Sequence, residues 1–167
     1  MEAHEREQLR AIADYQFGAG AGPALFPGDQ SLTLRRSASG RIRQVGTGTD
    51  RLVSVGTDGR LTLGVRGGAR LIEALDTPRT RVVVGDESAP YVRDGRSVFA
   101  KFVQDVDPAV RARDEVAVVH SDGTLLGVGR AELSAAAMQA CQTGAAVSTR
   151  AGVDPERSGE RPAEEGS

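Results

Sequence analysis

Residues 82–103 read VVVGDESAPYVRDGRSVFAKFV, and the order of signals in this stretch decides the fold. Three consecutive valines, Val82, Val83 and Val84, form a buried-type strand. Ser88 stands where an N-cap would, and Pro90 falls in the first turn behind it, which predicts a short helix. Gly95 stops that helix, because a residue without Cβ takes the left-handed cap conformation at no steric cost. Residues 97–103 (SVFAKFV) then read as one strand. With period two, Val98, Ala100 and Phe102 share an apolar face that belongs to the core. Ser97, Phe99 and Lys101 share the other face, with Val103 at its end.

Downstream, the apolar runs 114–119 and 124–131 flank Ser121-Asp122-Gly123, a hairpin signal. Ser134 can cap a helix over 135–141, and Gly144 leads into a last strand, 145–149. Many short strands with small helices between them predict a compact mixed barrel over 77–152. The segment 153–167 is polar, with five acidic residues and two arginines from Asp154 on. Too little apolar surface is available there to offset ordering, so a disordered acidic tail is expected.

Upstream, the pattern changes at the joint DTPRT (76–80), which sets off a first domain, 1–76. Leu9, Ile12 and Ala13 at i, i+3, i+4 predict an amphipathic helix over 2–14. The Gly- and Pro-rich run FGAGAGPALFPGD (17–29) reads as an ordered loop. It lacks a GK[ST] ending and a strand leading into it, so it is not a nucleotide-phosphate loop. Alternating runs at 31–36, 41–45, 51–55 and 60–65 predict strands, the last two joined by Asp58-Gly59 in a tight hairpin. Leu71, Ile72 and Leu75 place a helix over 69–75. The fold class is α+β.

Composition removes several functions. Cys141 is the single cysteine, so the chain builds neither an intrachain disulfide nor a cysteine-based zinc site. In its Ala-rich setting Cys141 reads as a packed structural thiol. His4 and His120 have no carboxylate, Cys or His partner at triad or metal spacing and read as surface histidines. No metal and no cofactor is expected. No window approaches the roughly 20 apolar residues of a membrane span, and the charged N-terminus has no signal-peptide core. A cytoplasmic protein is expected. The 167 residues carry a net charge of -2. Without residues 154–167 the balance is 19 basic to 18 acidic, a net of +1. Lys101 is the only lysine among 21 basic residues. Arginine forks suit phosphate and base recognition, although a GC-rich genome also produces this bias, and scarce lysine with abundant acid hints at salt adaptation.

From about Arg81 the chain resembles a PUA domain, the module shared by pseudouridine synthases and archaeosine transglycosylases. The matching stretches are residues 82–103, DEVAVV (114–119), LLGVGRAELS (125–134) and GAAVSTR (144–150). Upstream, ADYQFGAGAGPALF (13–26), SGRIRQV (39–45), TDGRLTL (57–63) and GARLI (68–72) are similar to the small domain preceding PUA in archaeal tRNA-guanine transglycosylase and archaeosine synthase. The resemblance covers about residues 12–150. It implies a small pre-PUA α+β domain followed by a PUA pseudo-barrel, an archaeal source, and structured RNA, especially tRNA, as ligand. The catalytic aspartates and cysteine-rich zinc site of the family's transglycosylase barrel are not matched, nor is the synthase's Cys- and Lys-containing motif. The expectation is therefore a non-catalytic RNA-binding protein, acting alone or in trans with a tRNA-modification enzyme. The alternative is a protein-interaction module or accessory subunit that kept the fold and lost RNA affinity.

The resemblance also implies that the helix–strand junction at Arg93, Gly95 and Arg96 holds an acceptor stem and its CCA end. Phe99 and Lys101 follow on the strand. Phe99 stacks on a base while Lys101 meets a phosphate, or Phe99 packs under the neighbouring helix. Arg41 and Arg43 alternate with Ile42, so they leave the sheet together, as an RNA contact or as an ordinary solvated face.

Overall fold

The computed structural model of the protein describes residues 1–154. The acidic tail expected at 153–167 lies, from residue 155 on, outside the described residues. The chain divides into two compact units between Arg79 and Thr80.

In the first unit, α1 (Ala3–Phe17) runs three residues past the predicted end. Its buried stripe is Leu9, Ala13 and Phe17, spaced by four. The Glu5 carboxylate accepts from the Glu2 N–H at 3.0 Å, which satisfies one of the unpaired donors at the helix start. The Gly- and Pro-rich run is not an irregular loop, because α2 (Ala21–Leu25) forms inside it. Pro23 sits in the first turn, where its missing N–H costs nothing. The Gly22 N–H donates to the Asp14 carboxylate at 2.7 Å. A Cβ on Gly22 would lie 2.5 Å from the Arg10 carbonyl oxygen, so α1 and α2 approach as closely as they do only through this glycine.

A four-stranded antiparallel meander follows: β1 (Thr33–Arg36), β2 (Ile42–Thr47), β3 (Asp50–Val55) and β4 (Leu61–Leu63). Register aligns Leu34, Val45, Val53 and Leu63 in one row and Arg35, Gln44, Ser54 and Thr62 in the next. Val45, Val53 and Leu63 are fully buried, so the first row faces the core and the second faces outward. The outer edge of β4 is met by Gln16 of α1. Its amide donates to the Leu61 carbonyl at 2.7 Å and accepts from the Leu61 N–H at 2.9 Å. The strand predicted over 60–65 stops at Leu63, and α3 (Val65–Ala74) starts four residues before the predicted helix. Gly67 and Gly68 conceal this start, since glycine is a poor helix former. They are there for close packing: a Cβ on Gly67 would fall 2.1 Å from the Leu52 carbonyl oxygen.

The second unit contains β5 (Arg81–Val84), α4 (Ala89–Arg93), β6 (Val98–Phe99), a 3-10 turn (Ala100–Phe102), β7 (Val103–Val106), β8 (Glu115–His120), β9 (Leu125–Ala131), α5 (Ala135–Ala140) and β10 (Ala145–Gly152). The sheet order is β6-β10-β9-β8-β5-β7. β5 and β8 are parallel and the other pairs antiparallel. Its two outermost strands, β6 and β7, are consecutive in the chain. A three-residue turn thus ties one edge of the sheet to the other, and the sheet curls into a nearly closed barrel. Val82, Val84, Val116, Val118, Leu126 and Val147 fill it, with Val92 of α4 and Met138 of α5 packed against them. The α+β class and the barrel are as the sequence predicts.

Two local expectations fail. Residues 97–103 are not one strand. The chain has to leave β10, its partner at Phe99, and cross to β5, its partner from Val103 on. Ala100 turns inward and donates its N–H to the Gly144 carbonyl at 2.9 Å, so the period of two ends at Phe99. Ser88 precedes α4 in a helical conformation, and its side chain makes no cap hydrogen bond. Backbone bonds from Ser88 and Ala89 to the Gly85 carbonyl start the helix instead. Ser134 does cap α5, accepting from the Ala137 N–H at 3.2 Å.

Candidate nucleic-acid interface

The α4–β6 junction is built by a Schellman cap. The Arg96 N–H donates to the Tyr91 carbonyl and the Gly95 N–H to the Val92 carbonyl, both at 2.9 Å. Gly95 has φ of 91°, the left-handed conformation the pattern requires. The end of β10 lies against the junction, where the Asp154 N–H donates to the Arg93 carbonyl at 3.1 Å. A Cβ on Gly152 would clash with that carbonyl at 2.0 Å. A backbone held by this many bonds is a rigid platform for whatever its side chains present.

Those side chains are aromatic and cationic. Tyr91 is 57% exposed and Phe99 52%, and among the described residues only Tyr15 joins them as a large exposed apolar side chain. The Arg96 guanidinium lies 6.0 Å from the centroid of the Tyr91 ring. Arg93 is half-buried at the helix end, while Arg96 and Lys101 are exposed. The structure separates Phe99 from Lys101, which the period of two had joined. Phe99 ends β6, whereas Lys101 sits in the 3-10 turn with its Nζ 5.1 Å from the Phe102 ring centroid. Tyr91 is the residue that sequence reasoning missed. Its signal was an aromatic beside Val92 on a five-residue helix that has only one buried side.

In the first unit Arg41 precedes β2 and donates to the Gly56 carbonyl at 3.3 Å. Arg43 joins Arg35 and Arg36 of β1 along a shallow groove of about 400 Å³ floored by Gln44, Ser54 and Val55. Arg36 is bound at both guanidinium nitrogens by Glu5, at 2.9 and 3.0 Å. That pairing holds the Glu5 carboxyl down at about 2.

His120 is not the partnerless surface histidine its neighbours in sequence suggest. Its side chain is 15% exposed, its Nε2 is hydrogen-bonded to the Asp86 carboxylate, and its Nδ1 accepts from the Asp122 N–H at 3.1 Å. The parallel register pairs Val84 with His120, which brings Asp86, two residues beyond the end of β5, to the imidazole. The bond to Asp86 raises the His120 pKa above its ordinary value. Arg150 and the buried Glu115 form a second ion pair across the barrel strands. Among the described residues no group of three or more His, Cys, Asp or Glu could hold a metal ion. Among them also, no helix is long and apolar enough to cross a membrane.

Residues 7–78 match the family model of the patch-forming domain C2 of tRNA-guanine transglycosylase, and residues 80–153 match that of the PUA domain. The tRNA-guanine(15) transglycosylase of Methanobrevibacter smithii is 42% identical over 148 residues, which are 88% of this chain and 22% of that protein. The enzyme of the same name from Pyrococcus furiosus is 43% identical over 150 residues, 89% of this chain and 25% of that protein. The chain thus spans about a quarter or less of the curated relatives it matches. In fold it is similar to a hypothetical protein of Pyrococcus horikoshii, with a TM-score of 0.74, 18% identity and 96% of both chains covered. A conserved PUA domain protein of Thermoplasma acidophilum gives a TM-score of 0.67 at 20% identity, with 91% of each chain covered.

Proposed function

This chain is a PUA domain protein that resembles the C-terminal part of archaeal tRNA-guanine transglycosylase, and from that premise we propose that it binds RNA, foremost tRNA, without itself exchanging a base. In this reading the α4–β6 junction receives the acceptor stem and its CCA end. The observation that carries it is the pair of half-exposed aromatics, Tyr91 and Phe99, on either side of the rigid Gly95 cap, with Arg93, Arg96 and Lys101 around them. Exposed rings on a fixed backbone are stacking platforms for unpaired bases, and cations beside them meet the phosphates between. Gly95 presents no side chain there, so a ribose or phosphate can approach the backbone. The protein then supplies RNA affinity to a tRNA-modification enzyme acting on the same molecule.

The test is a titration of the full chain with tRNA and with the same tRNA trimmed of its CCA end, each at 50 and 200 mM salt. Tighter binding to the intact tRNA, weakening steeply with salt, is the expected result. Equal affinity for both forms removes the CCA end from the proposal. No affinity for either leaves the junction as a surface for a protein partner.

A further inference from the structure

The PUA match ends at residue 153, and the sequence beyond it changes character. Residues 155–167 read PERSGERPAEEGS, with four glutamates and two arginines, a net charge of -2. We infer that this segment folds back on the α4–β6 junction of its own chain, its carboxylates on the cations there, so that RNA has to displace it. The inference rests on the RNA reading above and adds a competitor for the same surface. The route of the chain puts the segment there. β10 ends at Gly152, and the backbone is then fastened to the end of α4, where the Asp154 N–H donates to the Arg93 carbonyl at 3.1 Å. A Cβ on Gly152 would also fall 2.7 Å from the Gly95 nitrogen, so only glycine lets the last strand and the cap lie this close. Residue 155 therefore starts beside the cap. Glu164 and Glu165 lie ten and eleven residues past Asp154, a tether of up to roughly 35 Å, ample to reach any side chain of the junction. A tether this short holds the two carboxylates at an effective concentration on the order of millimolar.

The charges are complementary. Residues 91–101 carry Arg93, Arg96 and Lys101 against one acid, Asp94, a net of +2. Among the described residues none of the three cations makes an ion pair; Arg96 and Lys101 face aromatic rings instead. In the segment, Glu156 and Glu160 each precede an arginine, Arg157 and Arg161, which offsets them. Glu164 and Glu165 have no cation beside them, and they are the pair left for Arg96 and Lys101. Exposed ion pairs are individually weak, so a polyanion with many phosphates displaces the segment while a lone anion does not. The carboxylates compete for the cations alone. Tyr91 and Phe99 stay open to a base, and the segment therefore favours ligands that stack over ligands that bring only charge.

Lys101 is the only lysine, which gives a readout that needs no RNA. A water-soluble carbodiimide joins an ammonium to a carboxylate in contact with it, with loss of water, and mass spectrometry of the monomer then names the partner. In the full chain the expected product links Lys101 to Glu164 or Glu165, and it disappears at about 1 M salt, where charges are screened within roughly 3 Å. In the second arm the full chain carrying Glu164→Gln/Glu165→Gln is titrated with tRNA beside the parent. Two exposed ion pairs are together worth roughly 2- to 30-fold. The variant should therefore bind tRNA about 5-fold tighter at 50 mM salt, with the gain shrinking at 200 mM. A chain whose Lys101 links to no residue of 155–167 overturns the inference. So does a parent that binds tRNA as tightly as the variant or more tightly, since the segment is then a bystander or a helper. A cross-link to the segment, with no tRNA affinity in either parent or variant, overturns the RNA reading and keeps the segment on the junction.

Discussion

Phe99→Ala and Lys101→Ala separate stacking from charge at neighbouring positions of the junction. Truncating a fully buried Phe costs roughly 3–5 kcal/mol. Phe99 is 52% exposed, so its truncation should cost its domain about half of that, ~2 kcal/mol. A domain of this size shifts by ~4–8 °C per kcal/mol, so melting should fall by roughly 8–16 °C and leave the protein folded at room temperature. Lys101 is exposed and lies over Phe102, so its truncation should change stability by less than about 0.5 kcal/mol. On RNA the ranking changes in kind. Loss of one stacked base removes about 1–3 kcal/mol, a 5- to 150-fold weaker affinity, with the salt slope unchanged because stacking releases few counterions. Removing the Lys101 ammonium makes the slope shallower by about 0.7–0.9 and weakens binding most at low salt. Fluorescence anisotropy with labelled tRNA across four salt concentrations, paired with thermal denaturation, reads both quantities. If both variants remain folded and bind like the parent with the same slope, the reasoning from exposed ring and cation to RNA contact is wrong.

Other outcomes follow from the geometry. The pKa of His120 is raised in the folded state by Asp86 first and Asp122 after it. Its stabilisation is therefore complete below about 6.5, the unfolded value, and is lost as pH rises through the folded value; Asp86→Asn should flatten this fall in melting temperature between pH 6 and 9. Glu5 has the opposite sign. Held at about 2 by Arg36 first and the Glu2 N–H after it, against an ordinary 4.5, it stabilises above the higher value and loses that effect as pH drops toward the lower, a loss that Arg36→Ala should reduce. Gly67→Ala drives a Cβ into the Leu52 carbonyl and should cost about 1–3 kcal/mol in chemical denaturation, whereas the same change at Gly40, with open space around it, costs only the strain of its positive φ. A Gly67→Ala protein as stable as the parent would show that α3 and β3 can separate without penalty.

What could be read in the sequence, and what could not, divides along a physical line. Local signals carried the hairpin at Asp58-Gly59, the cap on α5 at Ser134 and the left-handed glycine at residue 95, because in each the residue type and the backbone state are bound within a few positions. Tertiary demands did not show. The strand at 97–103 breaks because the barrel must close there, and nothing in SVFAKFV says so. Gly22 and Gly67 look like helix breakers in sequence and act as spacers between elements. Asp86 and His120 stand 34 residues apart and meet only through the parallel register of β5 and β8. At the candidate site, Phe99 and Lys101 could be named from their types. Their separation by the 3-10 turn could not, nor could the bulge that sets Arg43 beside Arg35.

The Gln16 amide on the edge of β4 has a consequence for solubility. An unpaired strand edge is a template on which a second chain can add, and open sheets blunt it in various ways. At one end of this sheet a side-chain amide occupies the N–H and C=O of Leu61 and so mimics a fifth strand one residue long. At the other end β1 carries Arg35 and Arg36, which would place like charges against any copy that paired there in antiparallel fashion. The two ends are thus protected by different means, one by hydrogen-bond saturation and one by charge. Salt weakens only the second. Self-association through this sheet should therefore begin at β1 and rise with ionic strength.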